Sequence, residues 1–130
     1  MDIDLPEVVA EVRAAFDRYE NALVTNDVTM LDDTFHVDPR TIRYGINEIL
    51  YGHDEIAAFR IARSPVGLAR TTSRTVITTY GHDFGVASTL FRRPTMPGKV
   101  GRQMQTWVRF PGGWRVVAAH VSVIDDPGRH

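Results

Sequence analysis

Apolar residues recur at helical spacing from the start of the chain: Val9, Val12, Phe16, Tyr19 and Leu23 follow Asp4 and Pro6, and the pattern runs to Asn26. This predicts one long amphipathic helix. Asn26 or Asp27 is placed to cap a second, shorter helix carrying Met30, Leu31 and Phe35, which Pro39 ends. The spacing then changes. Thr41 to Gly45 is short and β-branched, Glu48 to Tyr51 reads as its hairpin partner, and Asn47 falls in the turn. His53 and Asp54 open a third helix with Ile56, Phe59, Ile61 and Ala62 on its apolar side, and Ser64-Pro65 stops it. Beyond Arg70 the period is that of strands: 70–80, 86–92, 100–110 and 114–124, joined by Gly, Pro, His and Asp turns. Three helices and a long, mostly antiparallel sheet predict an α+β fold, a cone-shaped roll whose bent sheet wraps the helices and leaves one open mouth.

The last two strands interrupt their apolar alternation with polar side chains. A turn at Gly112 and Gly113 sets Gln105 opposite His120 and Gln103 opposite Ser122, on one face with Trp107, Trp114 and Ala118. A face that needed only burial would be filled with Val and Leu, because each buried polar atom without a partner costs about 1–3 kcal/mol. The mixed face is therefore read as a ligand-pocket lining.

Composition narrows the partners. At 130 residues the chain makes a single domain, 1–130. A net charge of −1 with scattered arginines points away from nucleic acid and membrane surfaces and toward a small molecule. With no cysteine there is no disulfide, thiolate metal site or thiol nucleophile. The N-terminal MDIDLPEVVAEV is acidic where a secretory signal is positive, and no apolar run approaches membrane-spanning length, so a cytoplasmic protein is expected. His36, His53, His82, His120 and His130 show no metal-ligand spacing, and no serine elbow or phosphate loop is present. Asp32 and Asp33 suit a helix cap or solvated surface better than a catalytic acid pair.

Longer strings carry a resemblance. YENALVTNDVTMLDDTF at 19–35, IRYGINEILYGHDEIAAFRIAR at 42–63, RTVITTYGHDFGVAST at 74–89, and GRQMQTWVRF with GWRVVAAHVS at the end together resemble the AtzH-like family, within the SnoaL-like, nuclear transport factor 2-like superfamily. One branch of that family is associated with decarboxylation of 1,3-dicarboxyurea; others accompany ureide and amide degradation, including oxalurate catabolism. The resemblance implies a catalytic pair at Tyr19 and Arg43, no metal or organic cofactor, a small anionic ureide or carboxylate as substrate, and a homo-oligomer, dimer or tetramer, with the sheet's exposed faces as contact surface.

The residues themselves give each of these a physical meaning and a plainer alternative. A guanidinium at Arg43 would hold a carboxylate by two parallel charge-assisted hydrogen bonds, although strand arginines are commonly surface residues. Tyr19 lies on the buried stripe of its helix, where a tyrosine serves packing whether or not its hydroxyl reacts. If Arg43 is near, positive charge lowers the phenol pKa from about 10 and makes it a better proton donor. His120 and Gln105 are expected either to bind a ureido group or to satisfy each other. Arg60 and Arg63 neighbour each other on the third helix; Arg63 is a candidate for a second carboxylate, and a solvated helix face is the plainer reading. Arg70 and Arg74, on one strand face, either make the mouth positive or pair with acids nearby. Two functions remain open: a cofactor-independent decarboxylase of an N-carboxylated urea, and a non-catalytic binder of small acids that assists an amidohydrolase pathway.

Overall fold

The computed structural model describes residues 1–128, and its elements run α1 (Pro6–Val24), α2 (Val28–Thr34), β1 (Ile42–Tyr44), β2 (Ile49–Tyr51), α3 (His53–Ala62), β3 (Thr71–Tyr80), β4 (Phe84–Arg92), β5 (Lys99–Phe110) and β6 (Gly113–Asp125). The fold is α+β, with three helices and one six-stranded sheet ordered β2-β1-β6-β5-β4-β3. All neighbours are antiparallel except β1 and β6, the one pair not joined by a hairpin path.

Local signals account for the element ends. Pro6 opens α1, where its missing N–H is not needed, and the Asp4 carboxylate accepts from the backbone N–H of Thr79 at 2.8 Å, fastening the entry of α1 to β3. Asp27 caps α2 by accepting from Met30 N–H at 3.2 Å. The buried stripe of α1, from Val8 through Val12, Phe16, Tyr19 and Leu23, packs in the concavity of the sheet with Leu31, Phe35, Trp107 and Val116. Of the three long hairpins, β3–β4 and β5–β6 carry bulges, one between Ser73 and Val76 and one after Thr106, and such insertions strengthen bend and twist.

Two expectations change. The inward face of α3 is Ile56, Phe59, Arg60 and Arg63, the i, i+3, i+4, i+7 stripe, while Ile61 points to solvent at 74% exposure. Arg60, expected on a solvated face, is 1% exposed. The β5–β6 turn is at Pro111 and Gly112, since Phe110 pairs with Gly113, and Val117 is an extra residue on β6 between the pairs Thr106–Ala118 and Trp107–Val116. Beyond that bulge Gln105 pairs with Ala119, Gln103 with Val121, and Met104 with His120.

Candidate functional site

The cone encloses a cavity of about 150 Å³ between α1, β1, the end of α3 and the sheet. Tyr19 reaches it from α1. Its ring is 2% exposed and tilted against Phe35 at 6.2 Å, with the Arg60 guanidinium 5.8 Å from the ring centre and donating to the phenol oxygen at 3.5 Å. Arg43 enters from β1, 5% exposed, and donates to Glu48 Oε1 at 2.9 Å. Gly45 makes that pairing possible: a Cβ there would overlap the Glu48 carboxylate.

Arg70, in the loop before β3, donates to both Glu20 oxygens and, at 2.9 Å, to Gln103 Oε1; Gln103 returns a hydrogen bond to Glu20 Oε1 at 3.3 Å. Arg63 follows α3 and Arg93 follows β4, and both line the cavity. Two aromatic rings carry four of these cations. Phe59 lies 5.2 Å from the Arg43 guanidinium carbon and 5.5 Å from that of Arg63; Phe91 lies 4.4 Å from Arg70 and 5.2 Å from Arg93. Phe91 sits flat over Gly101, where a Cβ would collide with its ring.

Positive charge dominates. Among the described residues, Arg43, Arg60, Arg63, Arg70 and Arg93 have Glu20 and Glu48 as their carboxylate partners. Burial alone would raise the Tyr19 pKa, but the charges of Arg60, Arg43 and Arg70, with the Arg60 hydrogen bond, more than offset it and leave the phenol below its ordinary 10.0. Arg63 is pushed down to about 10, first by burial and then by the like charge of Arg60. The arrangement has the charge to hold a small anion beside a phenol of lowered pKa. Among the described residues no three His, Asp or Glu side chains converge as a metal cage requires.

Of the residues expected from sequence, Tyr19, Arg43 and Arg63 meet in this cavity. Gln105 is buried but outside its lining, accepting from Trp107 Nε1 at 3.2 Å, and the expected Gln105–His120 pair does not form. His120 is on the outer face, exposed and edge-on to Tyr44 at 6.0 Å, because the extra Val117 turns it, Ala118 and Ser122 away from the face of Trp107 and Trp114. Arg70 and Arg74 do not act together: Arg74 sits at the β3 bulge with φ 50°, exposed. Gln103, read as part of a pocket-lining face, does line the cavity, and the residues that sequence reasoning passed over are Arg60, Arg93, Glu20 and Glu48. For Arg60 a signal existed, its place between Ile56 and Arg63 on the inward stripe of α3; for Arg93, at the end of β4, none did.

Comparison with known proteins places this geometry. The AtzH-like family model matches residues 1–127. The chain belongs to the AtzH-like family. A crystal structure of a protein of unknown function of the DUF3225 family from Pectobacterium atrosepticum shares 57% identity at a TM-score of 0.93, covering 95% of this chain and 96% of its own. A cystatin-like fold protein from Burkholderia xenovorans shares 47% identity at 0.93, covering 98% and 99%. A nuclear transport factor 2-like superfamily protein from Salmonella enterica shares 25% at 0.74, covering 94% of each chain. No functionally curated protein matches the chain. No helix among the described residues is long and apolar enough to cross a membrane.

Proposed function

We propose that this AtzH-like protein is a cofactor-independent decarboxylase of a small N-carboxylated urea, of the 1,3-dicarboxyurea type, acting in ureide nitrogen catabolism. The observation that carries the reading is a buried phenol, Tyr19, made acidic by Arg60, Arg43 and Arg70 at the wall of a cavity rich in guanidinium groups.

Loss of CO2 from an N-carboxylate breaks the C–N bond and leaves its electron pair on nitrogen. A proton delivered to that nitrogen from the Tyr19 hydroxyl neutralises the developing charge, and the phenolate, stabilised by Arg60, regains its proton from water. Arg43 fixes the carboxylate that departs. Sharing its charge with Glu48 suits this task, because a carboxylate held too strongly as an anion would resist becoming neutral CO2. The chemistry requires neither metal nor organic cofactor.

The second reading, a carboxylate-binding accessory protein of an amidohydrolase pathway, is favoured by the excess of cations, which would retain an anion without any proton transfer. Measuring CO2 release from fresh 1,3-dicarboxyurea, corrected for the spontaneous reaction, separates the two. Wild type is expected to accelerate it, and Tyr19→Phe and Arg43→Ala each to lose on the order of 10²-fold or more. Full turnover by Tyr19→Phe would sink the proton-transfer mechanism; no acceleration by wild type would favour the binder.

A further inference from the structure

The proton transfer just described makes no use of Arg63 or Arg93. Both line the cavity, and both hold guanidinium nitrogens out of water without a hydrogen-bond partner: Nε and Nη2 of Arg63, Nε of Arg93. Buried donors of a charged group are seldom left unmatched, since folding then gives up their hydration for nothing. Arg43 also keeps an unmatched Nε, but it and Arg70 each have their charge answered by a carboxylate, Glu48 and Glu20. Among the described residues Arg63 and Arg93 have no such carboxylate, and Arg63 lies in the repulsive field of Arg60, Arg43 and Arg93. Each is nevertheless braced, with the guanidinium carbon of Arg63 5.5 Å from the Phe59 ring centre and that of Arg93 5.2 Å from the Phe91 ring centre.

We infer that Arg63 and Arg93 form a second carboxylate subsite, so that the ligand of this cavity is a small dianion with a carboxylate at each end. The inference rests on the decarboxylase reading only for which end reacts. It has a chemical consequence under that reading. Removing one CO2 from a dicarboxylated urea leaves N-carboxyurea, which still bears an N-carboxylate and would itself be consumed by a site that recognised one carboxylate alone. A site requiring both ends stops after one cleavage, because the product has lost the group that either Arg43 or the second subsite needs.

The test is calorimetric titration with glutarate, whose carboxylates are separated by three atoms as in 1,3-dicarboxyurea, and with butyrate, which keeps the chain and one carboxylate. Wild type is expected to bind glutarate at least about tenfold more tightly than butyrate. Arg63→Met and Arg93→Met should each erase most of that preference by weakening glutarate while leaving butyrate unchanged, and Arg93→Lys should restore part of it. Equal weakening of both ligands would mean a diffuse field and overturn the subsite, as would unchanged glutarate affinity in the Met variants. Thermal melts of each variant report folding independently, and Arg93→Lys keeps the charge should Arg93→Met fail to fold. Neither ligand is consumed, so a glutarate preference that depends on both arginines, found without any CO2 release, would uphold the subsite and end the decarboxylase reading.

Discussion

The two faces of the β5–β6 ribbon carry polar side chains along the same stretch of chain and have different fates. On the inner face Gln103 joins an ion pair, bonding both Arg70 and Glu20, and Gln105 holds the indole of Trp107. One residue away on the outer face, Arg102 donates to Ser122 at 3.2 Å, Met104 is 57% exposed, and His120 leans on Tyr44 in contact with solvent. The residue types do not distinguish the two sets. Their partners and the access of water do: an amide costs little outside and calls for a partner inside, so Gln103 joined a charged network that shapes the cavity, while Gln105 is matched at its oxygen by the Trp107 indole.

Substitutions on either side sharpen this contrast. Gln103→Leu strands donors and acceptors of the Arg70–Glu20 pair, and unfolding in urea should show a loss of about 1–3 kcal/mol, whereas Arg102→Leu, its neighbour on the outer face, should stay within about 0.5 kcal/mol. Equal effects would break the comparison. Arg60→Met removes the foremost of the charges that lower the Tyr19 pKa. Under the proposed mechanism the acid form of the phenol is the active one, so kcat/KM is expected to fall as pH rises through that pKa; the alkaline limb should begin below pH 10 in wild type and move upward in Arg60→Met. Packing tolerates the change, since a buried cation without an acid partner is replaced by an apolar chain of similar length. Smallest of all, His120→Ala should leave turnover within about twofold; a larger loss would bring the outer face into the chemistry.

Much of the fold is legible because spacing reports it: the stripe of α1, the Asp27 cap, and the strands between Gly- and Pro-rich turns lie where the pattern puts them. Tyr19 was found by combining that stripe with the family resemblance. His120 was misplaced for a specific reason. Setting the turn one residue late preserves which side chains share a face, so it did no harm alone. The bulge at Val117 reverses the face of everything beyond it, and nothing in VVAAHVS announces a bulge, since the stabilising loss or gain arises from the curvature of the whole sheet. The arginines were discounted by their usual preference for water, a tendency that says nothing about a cavity already supplied with Glu20, Glu48 and aromatic rings. That surrounding is assembled from α1, β1, α3, β4 and β5, and no single segment contains it.

The shelves formed by Phe59 and Phe91 have one more consequence, in entropy. A free arginine side chain surrenders up to about 2 kcal/mol of rotamer freedom when it is fixed in place. Here Arg43, Arg63, Arg70 and Arg93 rest on rings before any ligand arrives. That ordering belongs to the folding of the protein, and a small anion with few contacts of its own meets a site that has already stopped moving.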